Sequence, residues 1–149
     1  MNMSAKAVLA AVLAVLAGCT VPLKLQVRGI KPLNENAQKE STPVDVRVYQ
    51  LKDNARFDRA TIDNLWVKDK ETLAEDLVTM KTVTVFPGEA QDRPQEVDLG
   101  VLDASVRFVG ILALYSREEE GQPRKVLVPA PEADDVVWEF TGFRIRKGQ

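Results

Sequence analysis

The chain has 149 residues, with 20 basic against 22 acidic side chains, one cysteine and no histidine. Lacking histidine, it has no Ser-His-Asp triad, imidazole base or His-ligated metal, and one cysteine excludes an internal disulfide or a Cys-rich metal site. A slightly acidic balance with no Lys/Arg cluster argues against nucleic acid as a partner, and the composition points away from an enzyme.

Residues 1–18 read as a lipoprotein signal peptide. Lys6 supplies the positive charge ahead of Ala7–Ala17, eleven uninterrupted apolar residues. That run fits the apolar stretch of a secretory signal and is too short to span a bilayer, which takes about 20 residues. It ends in Leu16-Ala17-Gly18-Cys19. Small residues suit the peptidase that cuts there, and the thiol behind them accepts a diacylglycerol. The tetrapeptide resembles the lipobox of bacterial lipoproteins, which implies covalent diacylglycerol and an acyl chain on Cys19; no cofactor is expected besides these. Several chains hold durably where one holds only reversibly. The resemblance also implies that an Asp just after the cysteine retains such proteins at the inner membrane. Thr20 and Val21 follow here, so the expected location is the outer membrane, lipid-anchored on its periplasmic face.

The expected mature chain, 19–149, is one domain rich in valine, which suits half-buried strands. Leu23, Leu25 and Val27 alternate with Lys24, Gln26 and Arg28, and Val44, Val46 and Val48 alternate with Asp45 and Arg47. Between them lies a long polar loop, Pro32–Pro43. Asp53–Val78 lacks alternation and spaces Leu73 and Leu77 four apart, predicting one or two short helices that close one end of the fold, with Asp69 capping one by accepting from Thr72 N–H. Val83 and Val85 form the next strand, then Val97, Leu99 and Val101 after Pro87-Gly88. Phe108–Tyr115 is apolar on both faces, as in a central strand covered on each side. A polar loop, Arg117–Arg124, leads to Lys125–Val128, an edge strand flanked by prolines. Val136, Trp138 and Phe140 share one parity and Phe143 and Ile145 the other, so Thr141-Gly142 reads as a bulge. Seven or eight strands make a mainly β protein: a two-sheet antiparallel β-sandwich with a short helical insertion after the second strand.

Candidate chemistry is thin. Glu118–Glu120 and Asp134-Asp135 are consecutive, whereas calcium needs six to eight converging oxygens, so solvated loop charges are the better reading. Trp66 and Trp138 suit a core better than a ligand platform. No metal site, catalytic site or small-molecule substrate is expected.

The strand Val44-Asp-Val-Arg-Val-Tyr-Gln-Leu51, then Lys52-Asp53 and Phe57, the helical insertion, Phe86-Pro-Gly-Glu89, Asp98-Leu99 and Val109-Gly-Ile-Leu-Ala-Leu-Tyr115 follow in order behind the lipobox. This order resembles the TssJ family, the outer-membrane lipoproteins of type VI secretion systems; Val126–Ile145 matches only loosely. The resemblance implies a transthyretin-like sandwich with added helices. It also implies a structural role, tying the periplasmic domain of TssM, and through it TssL, to outer-membrane lipid. In the family the loop between the first two strands is implicated in binding TssM, which selects Asn34, Glu35, Asn36, Gln38, Lys39 and Glu40. With so little apolar area, that loop is expected to add little to stability. A rival class is a periplasmic lipoprotein binding a small ligand or carbohydrate through Trp66 or Trp138, or a pilotin-like assembly factor of another secretion machine. An apolar cleft beside an exposed Trp favours the ligand binder; a closed core with a protruding loop favours the assembly protein.

Overall fold

A computed structural model describes residues 22–148; the expected signal peptide and Cys19 lie outside them. Among the described residues nine strands form two sheets that enclose one core. In the first sheet β1 (Lys24–Leu33) is flanked on one side by β8 (Val137–Gly142), which pairs with β9 (Arg144–Lys147). On its other side β1 meets β4 (Pro87–Gly88) and β5 (Gln95–Asp98). The second sheet runs β3 (Leu77–Val85), β2 (Val44–Leu51), β6 (Phe108–Leu114), β7 (Lys125–Pro129). The two-sheet sandwich is as expected. Its strand directions are mixed, because β1 runs parallel to both β8 and β4 while every other pair is antiparallel.

The alternation in the sequence becomes the core directly. Leu25, Val27, Val46, Val109, Ile111 and Phe140 are fully buried between the sheets. Each side chain of this size removed from water contributes about 1.5–3 kcal/mol. Gly29 is required where the chain crosses from the second sheet to the first: a Cβ there would lie 2.2 Å from the Phe86 carbonyl oxygen.

The opposite parity of β2 and β6 explains why β6 is apolar on both faces. Tyr49, Leu51 and Leu112 point away from the main core and form a second cluster with Phe57, Leu65 and Leu73. The latter three sit on three short helices, α1 (Ala55–Arg59), α2 (Ile62–Val67) and α3 (Asp69–Leu73). The helices therefore roof the outer face of the second sheet instead of closing an end of the sandwich. Each is one to two turns long and not stable alone, so it depends on this packing.

The cap expected at Asp69 is absent. Lys68 precedes α3, Thr72 N–H donates to Lys68 O, and the Asp69 carboxylate reaches Arg47 at 3.3 Å. The side-chain cap present is Thr61, whose Oγ1 accepts from Asn64 N–H at the start of α2. The Arg47 guanidinium also donates to the carbonyls of Leu65 and Trp66 and lies over the Trp66 ring, 4.1 Å from its centroid. One half-buried cation thus fastens the helical roof to β2.

Three further differences have local causes. β3 begins at Leu77, inside the stretch expected to lack strands. Val101 leaves the strand pattern because Gly100, at φ +71°, turns the chain before it, so Leu99 is buried and Val101 is exposed. The parity change at Thr141-Gly142 is a chain reversal and not a bulge. Thr141 pairs with Arg144 and Phe140 with Ile145 across a two-residue turn in which Gly142 takes φ +57°. Antiparallel partners share a face, so Phe140 and Ile145 both point inward despite opposite parity.

The sheet edges are blunted. Lys81 of β3 donates to Asp98 O across the open side of the sandwich, and β7 lies between Pro123 and Pro129. A lysine or a proline on an edge strand discourages pairing with other chains. No helix among the described residues is long and apolar enough to cross a membrane.

Candidate partner-binding end

β1 runs from one end of the sandwich to the other, and its far end meets three other connections. Asn34, the first residue after β1, joins them. Its backbone N–H donates to Gly142 O in the β8–β9 turn at 2.8 Å, and its side-chain Oδ1 accepts from Ser116 N–H beyond β6 at 2.8 Å. Its Nδ2 donates to Thr42 Oγ1 and to Pro43 O, each at 3.0 Å. Asn34 is buried and sits at φ +44°, a left-handed conformation that Asn tolerates better than most residues. Thr42 closes the base by donating from Oγ1 to Asn34 O at 2.6 Å and from its N–H to Leu33 O at 2.9 Å.

The tip is built on Asn36. Its Oδ1 accepts from the N–H groups of Gln38 and Glu40, both at 3.0 Å, and its Nδ2 donates to the Glu40 carboxylate at 2.9 Å. Glu35 and Asn36 are half-buried, while Gln38, Lys39 and Glu40 are exposed. The six residues singled out in the sequence thus divide. Asn34 belongs to the base, Asn36 shapes the tip, and Gln38, Lys39 and Glu40 present their side chains outward with Glu35 beside them. The loop is a hydrogen-bonded turn, and its base at Asn34 is tied to Thr42, Pro43 and Ser116, contacts that the expectation of a loop with little to add to stability did not include.

The second polar loop packs against the same end. The Arg117 guanidinium lies over the Phe143 ring, 4.1 Å from its centroid, and pairs with Glu119 at 2.8 Å. Arg124 pairs with Glu118 at 2.7 Å, and Ile145 N–H donates to Pro123 O. The Tyr115 hydroxyl donates to Arg144 O at 2.6 Å, and burial pushes this phenol well above its usual pKa. Glu118 and Glu119 of the acidic run are therefore engaged in local ion pairs. No group of three or more His, Cys, Asp or Glu able to hold a metal ion occurs among the described residues. Phe86, between β3 and β4, leaves its ring exposed next to Val85, the partner of Val44 at the foot of the loop. The contacts of Ser116 and Gly142 with Asn34 had no signal in the sequence, because they join residues remote along the chain.

Neither tryptophan offers a ligand platform. Trp138 is buried and donates from Nε1 to Ala133 O at 3.1 Å. Trp66 is half-buried with Arg47 stacked on it.

Comparison with known proteins bears on this architecture. Residues 21–141 match the family model of type VI secretion lipoproteins (VasD, EvfM, TssJ). Among solved structures, a chain in one described as a type VI membrane complex is 30% identical, with a TM-score of 0.74, covering 86% of this chain and 98% of that one. A chain in the structure described as the TssM C-terminal domain (869–1107) from EAEC is 25% identical at a TM-score of 0.71, covering 86% and 98%. The type VI lipoprotein TssJ1 from Pseudomonas aeruginosa, 23% identical over 87% of this chain and 98% of its own, shares the fold at a TM-score of 0.69. A comparison with curated proteins gives no match. The sandwich, its helical roof and the family match over most of the chain agree, and the chain belongs to the TssJ family of type VI secretion lipoproteins.

Proposed function

We propose that this lipoprotein is acylated at Cys19, sits on the periplasmic face of the outer membrane and anchors a type VI secretion membrane complex there by binding the periplasmic domain of TssM. TssL joins the assembly through TssM. Family membership supports the system, and a chain similar to this one occurs in a structure whose description names the TssM C-terminal domain. One observation carries the geometry. β1 starts at Lys24, five residues after Cys19, and runs ten residues to Leu33 at the foot of the loop. At about 3.3 Å per residue, the tethered end and the loop end lie about 30 Å apart. A lipid at one end thus leaves the loop end facing away from the membrane, where a partner from the opposite membrane arrives. The exposed groups of Gln38, Lys39 and Glu40, on a turn already held in shape, fix orientation without an ordering cost.

Calorimetric titration of the purified domain, lacking its signal and anchor, with the periplasmic TssM domain tests the contact. Replacing Glu35–Glu40 by a short Gly-Ser turn, with Asn34 kept, is expected to weaken binding at least tenfold and leave Tm within a few degrees. Unchanged affinity would remove the loop from the interface. Cys19→Ser tests the anchor: the variant is expected to leave the outer-membrane fraction after detergent-free lysis.

A further inference from the structure

The end of the sandwich opposite the loops carries an apolar patch beside the point where the chain enters the domain. Leu23 is clipped to the connection between β5 and β6 in both directions: its N–H donates to Gly100 O and its carbonyl accepts from Leu99 N–H, each at 2.9 Å. Gly100 then turns the chain so that Val101 points outward, 55% exposed. Val101 lines a shallow open depression with Leu23, Leu102, Val106 and Pro131. Val101 is among the most exposed large apolar side chains of the described residues. Asp134 also lines the depression, Asp103 directly follows Leu102 in the chain, and hydrogen bonds from the Ser105 hydroxyl and N–H hold the Asp103 carboxyl below its usual pKa.

The length of chain outside the described residues decides what this patch meets. Only Thr20, Val21 and Pro22 separate Cys19 from Leu23. Four extended steps reach at most about 14 Å. The headgroup region of one leaflet is itself about 5–7 Å thick. A lipid on Cys19 therefore keeps Leu23, and the Val101 connection hydrogen-bonded to it, within about 9 Å of the headgroup surface, close enough to touch it. We infer that the Leu99–Val106 connection is a membrane-seating patch, with Val101 resting in the headgroup region and Asp103 and Asp134 keeping the contact shallow. The patch is too small to bind lipid by itself. Its effect is to stand the domain upright on its anchor, loops outward. The inference rests on acylation at Cys19.

The test uses the full acylated lipoprotein with Val101→Cys, whose new thiol is unique once Cys19 is modified. It is labelled with an environment-sensitive fluorophore and placed on phosphatidylethanolamine–phosphatidylglycerol vesicles. A Lys39→Cys label at the loop end is the control. At position 101 the emission is expected to move to the blue, nitroxide-bearing lipid to quench it, and iodide quenching to fall several-fold relative to the Cys19→Ser protein in solution. At position 39 none of these should change. Undiminished iodide quenching at 101 would overturn the inference. Protection from both quenchers would do so too, since it would mean a protein surface covers the patch. Failure of the protein to float with the vesicles would instead remove the anchor itself, and the patch's role with it.

Discussion

Asn34 and Ser116, 82 residues apart in sequence, are joined by a hydrogen bond from the Ser116 N–H to the Asn34 side-chain oxygen. That bond ties the β1–β2 loop to the exit of β6, while the other side of Asn34 holds Thr42, Pro43 and Gly142. The same residue therefore sets the loop's shape and its position on the sandwich. Asn34→Ala removes three side-chain bonds and puts a Cβ-bearing residue without local compensation at positive φ. It is expected to cost about 1.5–4.5 kcal/mol, given about 0.5–1.5 kcal/mol for each of the three hydrogen bonds, with a smaller increment because Ala tolerates left-handed backbone less well than Asn. Gln38→Ala and Lys39→Ala should stay within about 0.5 kcal/mol, as exposed positions do. Urea denaturation of the domain separates the two classes; equal effects at Asn34 and Gln38 would mean the base is not what holds the loop.

The helical roof predicts a steric test. A Cβ at Gly110 in β6 would fall 2.8 Å from two ring carbons of Phe57, which is buried against it. Gly110→Ala is expected to destabilise by about 1–3 kcal/mol, the range for overpacking a filled core. Phe57→Leu removes ring atoms from that place, so the double variant should be more stable than the sum of the two single effects. A double-mutant cycle reads the coupling, and strict additivity would show that Phe57 does not seat on Gly110.

On the outer face of the first sheet, Glu139 lies in register between Arg28 of β1 and Arg146 of β9 and pairs with both. Burial alone pushes its pKa up, but the hydrogen bonds from the two arginines outweigh it and hold the carboxyl below its usual range. With the folded pKa below the unfolded one, the stabilisation is fully present above about pH 4.5 and is lost as pH falls through the folded value. Glu139→Gln should cost about 2 kcal/mol at pH 7, as loss of hydrogen bonds to a charged group does. Its Tm should then fall less steeply than the parent's between about pH 5 and 3. Parallel Tm-against-pH curves for the two proteins would rule out Glu139 as a source of acid sensitivity.

Period-two patterns in β1, β2 and β6 name their own inward faces, since a side chain's face follows from its parity whatever lies opposite. Leu25, Val27, Val46 and Val48 are accordingly buried. The two-faced apolar run of β6 announced a second layer, and the residues between β2 and β3 had the composition to supply it. Which surface that layer would cover was not legible. It depends on Gly110 admitting Phe57 and on Arg47 reaching carbonyls 18 and 19 residues away. Likewise, the order Trp138, Phe140, Phe143, Ile145 reads equally well as a bulged strand or a hairpin. Only the pairing of Phe140 with Ile145 decides it. The sequence by itself determined the faces of the strands, the polar character of the loop and the residues resembling a lipoprotein family, because those are local properties of the chain. The tertiary structure decided that Asn34 is base and Gln38 tip, and that Val101 shares an end with Leu23, which leads into β1. Both rest on contacts between segments remote in sequence, whose energies no local pattern records.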